Sequence, residues 1–238
     1  MYYQEKTLRR FLICRKEYYS AEMKAFLENV DLYFDNTVNK FIKKAPGEAT
    51  TVGIIKINNK KFVIKRYNPK GFWHCVKRML RPSRALRSWK NSHYLEQHGI
   101  STPKPVAVLI EGFGPIRDKT YFLMEYVDGL RGGDIFKRDS EHQSSWDKIF
   151  QEISLLLKKL HAAKVTHDDF QHNNMLFVNE YPVLLDLDHM RIHKYNSLWF
   201  RHNFRKDIDN FLMVLGETNP DAWQMAETMI NNQTIGNL

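Results

Sequence analysis

At 238 residues and 43% apolar content, the chain is long enough for one large domain or two small lobes sharing a cleft, and too apolar for a disordered one. No run of eighteen apolar residues exists to span a bilayer, the start MYYQEKTLRRF lacks the apolar segment of a secretory signal, and Cys14 and Cys75 cannot build a disulfide framework. These features are those of a reduced cytosolic protein, and its net charge of +9 favours an anionic partner, be it nucleotide, nucleic acid, phosphorylated glycan or membrane surface.

From about residue 40 to 127, β-type segments dominate. TTVGIIKI (50–57) and KFVIKRY (61–67) are β-branched runs separated by NNK, which predicts a hairpin. In RPSRALRSWKNSHYLEQHGI (81–100) apolar residues recur at helical spacing, with Ser83 placed to cap the start and Gly99 to end it. Pro103 and Pro105 hold the exit extended into the strand VAVLI, and YFLMEYV (121–127) is another buried strand, closed by Asp128-Gly129. The pattern then turns helical. SWDKIFQEISLLLKKLHAAKV (145–165) places Ile149, Ile153, Leu156, Leu157 and Leu160 on one face. MLFVNEYPVLLDLDHM reads as a short strand, a turn at Glu180–Pro182 and a second strand. The order predicts an α+β chain of two lobes, β-rich with one main helix over 1–127 and helical over 128–238, with the cleft at their junction.

Between the long helix and the last hairpin stands THDDFQHNNMLF (166–177). Phosphoryl transfer from a nucleotide needs placement and charge neutralisation more than covalent chemistry. One aspartate must take the proton of the attacking hydroxyl, an asparagine and a second carboxylate must hold magnesium, and a lysine must pin the α- and β-phosphates. The pattern His-x-Asp, with Asn five residues beyond, selects Asp169 and Asn174, because Asn174 is followed directly by the apolar strand Met175-Leu176-Phe177. The rival pair, Asp168 with Asn173, lacks the leading histidine. Asp168 falls in the middle position, where a side chain most simply points to solvent. Asp186, seventeen residues after Asp169 and at the end of an apolar run, is the second metal ligand, with Asp188 the weaker candidate. Upstream, KFVIKRY fits the strand that carries a phosphate-pinning lysine, here Lys65, sharing a face with Val63 by alternation. APGEATTVG, with Gly47 and Gly53, is a poor match to a glycine-rich loop. In YFLMEYVDG, Met124 would back an adenine pocket, and the carbonyl of Glu125 and the N–H of Val127 would pair with the adenine edge. Asp207, in a later helix, stands where a carboxylate could accept N–H bonds from the loop. HCVKRMLRPSRALRSWK (74–90) interleaves basic and apolar residues and reads as a solvated helix face or as a contact for anionic lipid or acceptor phosphates. No recognised nucleic-acid motif accompanies it.

The ordered set VIKRYNPKGFWH, RPSRALRSW, HGISTPKP, LMEYVDG, HDDFQHNN and VLLDLDHMR resembles the lipopolysaccharide kinase family of Gram-negative bacteria, the inner-core heptose and Kdo kinases, from about residue 43 to 212. That resemblance implies a two-lobed protein-kinase-like fold, ATP bound by Lys65, Asp169 as catalytic base, and Mg2+ held by Asn174 and Asp186. It implies a sugar hydroxyl of the lipopolysaccharide core as acceptor, at the cytoplasmic face of the inner membrane. Kinases pair the strand lysine with a glutamate on the next helix, where this chain has Ser88; Glu96 lies eight residues further, about two turns along. The same set would serve a phosphotransferase of another small molecule or a protein, or, given Ser88, a nucleotide-binding scaffold at the membrane.

Overall fold

The computed structural model describes residues 1–32, 40–43, 50–68, 82–113 and 116–233. Its chain divides into two compact units, Met1–Ser92 with Pro103–Tyr126, and His93–Thr102 with Val127–Leu238. The first unit holds β1 (Tyr2–Lys6), β2 (Arg10–Arg15), helix α1 (Ala21–Glu28), β3 (Lys40–Lys43), β4 (Thr50–Ile57), β5 (Lys60–Tyr67), the greater part of α2 (Arg84–Gln97), β6 (Pro105–Phe113) and β7 (Ile116–Glu125). All seven strands form one antiparallel sheet in the order β1-β2-β6-β7-β5-β4-β3.

Turn chemistry sets the register of this sheet. Asn58 and Asn59 sit at φ 49° and 62°, the left-handed pair that a two-residue hairpin loop needs, and Ile57 consequently faces Lys60 across β4 and β5. Asparagine tolerates that backbone where a β-branched residue would not. Alternation then sorts β5. Phe62 and Ile64 join Leu12, Leu123 and the α1 residues Met23, Phe26 and Leu27 in one apolar cluster. Lys65 stands opposite Phe122, on the face where Tyr67 and Phe122 pack with Ala85 and Trp89 of α2. Ser83 caps α2 by accepting the N–H of Leu86 at 3.1 Å, and Gly99 at φ 64° ends it, with the Ile100 N–H returning to the Leu95 carbonyl.

In the second unit, β8 (Leu130–Arg131) leads into the short helix α3 (Gly132–Ile135), then α4 (Trp146–Ala162), β9 (Val165–Thr166), β10 (Met175–Val178), β11 (Tyr181–Leu184), β12 (Arg191–Ile192), α5 (Leu198–Thr218) and α6 (Pro220–Gln233). Two small sheets result, β11-β10-β8 and β12-β9. The core gathers Ile149, Phe150, Ile153, Leu157 and Leu160 of α4 with Phe170, Met175, Phe177, Leu184 and the α5 aromatics Phe200, Phe204 and Phe211. Among the described residues no helix is long and apolar enough to cross a membrane.

Two boundaries differ from expectation, and one region had not been anticipated. The hairpin turn is Asn179–Glu180, at φ 49° and 71°, rather than Glu180–Pro182. Pro182 lies inside β11 opposite Phe177, and β11 is an edge strand, where a missing N–H costs no ladder bond. The strand expected over 121–127 begins at Ile116 and ends at Glu125, leaving Val127 beyond it. The N-terminal hairpin and α1, on which the sequence patterns were silent, supply two of the seven strands and the cover for one sheet face. Asn59→Val should lower stability by about 1–2 kcal/mol, the cost of a left-handed β-branched residue; Asn59→Gly should not, and thermal melts of the two variants compare them directly.

Candidate active site

Hydrogen bonds to the backbone of Leu185 frame the site in the second unit. The Leu185 N–H donates to the Asn174 carbonyl, and the Leu185 carbonyl accepts Nε2–H of His167, each at 2.9 Å. His167 is buried and burial lowers its pKa, so the ring is neutral; because a carbonyl only accepts, the proton sits on Nε2. The loop 166–174 is thus tied to the segment that carries Asp186, the next residue after Leu185.

A second clamp comes from α5. Buried Asp207 accepts the N–H of His167 at 2.6 Å through Oδ2 and the N–H of Asp168 at 2.9 Å through Oδ1. Burial pushes its pKa up to about 7, against the lowering effect of the two N–H groups. The two bonds hold Asp168 at φ 63°, and Asp186 also adopts a left-handed backbone, φ 57°. Such strain persists only where neighbours over-determine it, and it clusters at functional sites.

Within the loop, Asn174 Nδ2 donates to the backbone carbonyl of Asp169 at 2.9 Å and to its Oδ2 at 2.8 Å, while Gln171 Nε2 donates to Oδ1 at 2.9 Å. The structure therefore brings Asp169 and Asn174 together, with Asp186 adjoining through Leu185. Both Asn174 bonds use its nitrogen, and neither uses its Oδ1. Asp168 does not point to solvent as expected. Arg191 Nε stands 2.6 Å from its Oδ2, and the Asp168 side chain is only 16% exposed. Arg191 reaches it because β12 pairs with β9, directly ahead of the loop. Strand alternation cannot relate Asp188 to Asp186, because β11 ends at Leu184; buried Asp188 faces His189 Nδ1 at 3.2 Å.

Gly132, which no sequence pattern singled out, seats the far side of the loop. A Cβ there would stand 2.1 Å from the carbonyl oxygen of His172, so only glycine fits. His172 is itself buried, which drops its pKa to about 4 and keeps it neutral. Gln171 and Arg191 were also missed, being polar residues in stretches without periodicity.

In the first unit, buried Lys65 holds its Nζ 5.4 Å from the centre of the Tyr67 ring. The Tyr67 hydroxyl and Ser88 Oγ share a hydrogen bond of 3.1 Å, and the Arg84 guanidinium lies 4.8 Å from the same ring. Ser88, at the place where kinases carry glutamate, thus fixes the tyrosine beside the lysine. Glu96 pairs with His93 at 3.1 Å. Met124 faces Val63 across β5 and β7, on the Lys65 face. The Glu125 N–H bonds the Lys104 carbonyl, and its carboxylate accepts the Tyr18 hydroxyl at 2.6 Å. Val127 belongs to the second unit, at the start of its longer segment. Buried Cys14, its pKa pushed up to about 12 by burial, is an unreactive thiol. Gly47, Cys75 and residues 74–81 of the basic stretch fall outside the described residues.

Among the described residues no three His, Cys, Asp or Glu side chains form a cluster that could hold a metal by themselves. Magnesium does not ask for one: it takes one or two protein oxygens and completes its shell with water and substrate phosphates. Asn174 Oδ1 and the Asp186 carboxylate are hard oxygen donors of that kind.

Asp207→Asn turns one acceptor oxygen into an amide NH2, a donor facing a backbone N–H, and should cost about 1–3 kcal/mol of stability. Gly132→Ala should cost at least as much, because the obstacle is backbone rather than a flexible side chain. Denaturant titration of both variants measures these losses.

A family model described as the lipopolysaccharide kinase (Kdo/WaaP) family matches residues 39–228. Among solved structures, WaaP in complex with acyl carrier protein aligns with a TM-score of 0.57 at 13% identity, over 83% of this chain and 80% of that one. That likeness establishes the fold as a protein-kinase-like α+β arrangement, β-rich in its first part and helical in its second. A kinase of the Cydia pomonella granulovirus, PK-1, aligns at 0.47 with 18% identity over 74% of this chain and 60% of that one. A probable serine/threonine-protein kinase of Dictyostelium discoideum, fnkA, is 32% identical over 74 residues, which are 29% of this chain and 9% of that protein, so the chain spans under a tenth of that relative's length.

Proposed function

The chain belongs to the lipopolysaccharide kinase (Kdo/WaaP) family, and from that premise we propose that it transfers the γ-phosphate of ATP to a sugar hydroxyl of the lipopolysaccharide inner core, a heptose or Kdo, at the inner face of the inner membrane. The observation that carries this reading is the joined set of Asp169, Asn174 and the Asp186 segment, held by His167 and Asp207.

Asp169 orients the acceptor hydroxyl and takes its proton as the sugar oxygen bonds to the γ-phosphorus and the bridging P–O bond to ADP breaks. Gln171 and Asn174 hold the Asp169 carboxylate in place through its two oxygens. Asn174 Oδ1 and Asp186 would hold magnesium, which supplies charge neutralisation at the phosphates. Lys65 pins the α- and β-phosphates, its ammonium lying 5.4 Å from the centre of the Tyr67 ring. In this reading the first 127 residues cover the nucleotide and residues 128–238 carry the loop and metal ligands. Met124 backs the adenine, whose edge pairs with the Glu125 carbonyl and the Val127 N–H.

Acceptor-dependent ADP release from purified core oligosaccharide tests the reaction, and mass spectrometry of lipopolysaccharide from cells with and without the protein names the sugar. Asp169→Asn should cut turnover by roughly 10² or more with ATP binding intact, the usual worth of a positioned base. Asp186→Asn should instead raise the magnesium concentration needed for half-maximal rate. Unchanged turnover in Asp169→Asn would exclude that residue as the base.

A further inference from the structure

Exposed apolar side chains are ordinary when single, but four fall within eight residues of this chain. Ile192, Tyr195, Leu198 and Trp199 are 44%, 65%, 85% and 55% exposed. They occupy the segment leading into α5 and its first turn, which Ser197 caps by accepting the Phe200 N–H. The buried face of this helix carries Phe200, Phe204, Ile208 and Phe211, so Leu198 and Trp199 project from its solvent side. Basic residues interleave with them: Arg191, Lys194, Arg201, Arg205 and Lys206, with no acidic residue anywhere from Arg191 to Lys206. Two of these cations are offset by carboxylates, Arg191 by Asp168 and Arg205 by Asp209. The remaining charge is positive.

We infer that this surface, Ile192 to Lys206, docks on an anionic lipid bilayer, so that a lipid-anchored acceptor arrives beside the loop bearing Asp169. Amphipathic aromatics with protruding leucine, ringed by lysine and arginine, suit the headgroup boundary, where the rings partition and the cations meet lipid phosphates. Leu198 and Tyr195, at 85% and 65% exposed, stand out from the surface of this unit. A deformable bilayer accepts such protrusions better than a folded acidic partner with its own fixed contour.

The path from this surface to the site is short. The Arg191 guanidinium lies 5.5 Å from the centre of the Trp199 ring, and its Nε bonds Asp168, the residue before Asp169. The docking role rests on the kinase reading for its purpose, since a lipid-linked acceptor is what it would deliver, but it is measured without catalysis.

The test is co-sedimentation of the full chain with phosphatidylcholine vesicles and with vesicles in which about a third of the lipid is phosphatidylglycerol. The wild-type chain should bind the anionic vesicles, lose that binding as salt rises, and bind neutral ones weakly. Tyr195→Glu/Leu198→Glu and Lys194→Ala/Arg201→Ala should each weaken anionic binding by about tenfold or more, with thermal melts unchanged. None of these residues touches Asp169, so ADP release with soluble core oligosaccharide should persist in the first variant while phosphorylation of vesicle-embedded acceptor falls. Wild-type-like vesicle binding by both variants overturns the assignment, because another basic region is then responsible. So does a chain that ignores vesicles yet loses binding to a small acidic protein on Leu198→Glu. Loss of ADP release in the wild-type chain, with vesicle binding and its loss in the variants intact, would sink the kinase reading and leave the surface standing.

Discussion

The peptide groups of Leu185 determine where this site stands. Its N–H bonds the Asn174 carbonyl and its carbonyl takes the His167 proton, so one residue ties the loop carrying Asp169 and Asn174 to the turn carrying Asp186. Segments up to seventeen positions apart in sequence are thereby joined at their backbones, and within the loop Asn174 bonds Asp169 directly. The imidazole belongs to that tie as a donor. A flipped ring, or the tautomer protonated on Nδ1 alone, would lose it, and burial keeps the ring neutral.

Asp207 complements this from the other side. A buried carboxylate is costly by itself, and two backbone N–H groups, not a cation, meet it here. The cost is borne where it fixes strained backbone at Asp168 directly ahead of the residue assigned as base. Left-handed backbone thus stands at Asp168, directly before Asp169, and again at Asp186, and strain of this kind clusters at functional sites.

Much of this was legible. The strand runs 50–57 and 61–67, the Ser83 cap and Gly99 stop, and the apolar face of the helix at 145–165 are local signals, and local signals decide local structure. The choice of Asp169 with Asn174 followed from where the apolar strand begins, and the two side chains are bonded. What escaped was non-local. YYQEK is a largely polar edge strand, RFLICR is a continuous apolar run flanked by arginines, and α1 has only eight residues, so none shows a clear period. Asp168 reads as a solvent-facing residue because Arg191, twenty-three residues on, shares no pattern with it until β12 pairs with β9. Gly132 is silent in sequence because its constraint is the carbonyl of His172, forty residues away.

The serine in place of the expected helix glutamate has a physical reading in the same terms. A Lys–Glu pair orients the ammonium by charge and requires the helix to deliver the carboxylate. Here the Tyr67 ring, two residues along the same strand and on the same face, sits by the ammonium already, and Ser88 has only to fix the phenol. A ring face attracts a cation less strongly than a carboxylate, on the order of 1–2 kcal/mol when partly desolvated. It also brings no counter-charge of its own for an anionic ligand to displace. In this arrangement Ser88 fixes the phenol whose ring lies by the Lys65 ammonium, so the helix meets the strand beside the lysine through a hydrogen bond between two neutral hydroxyls.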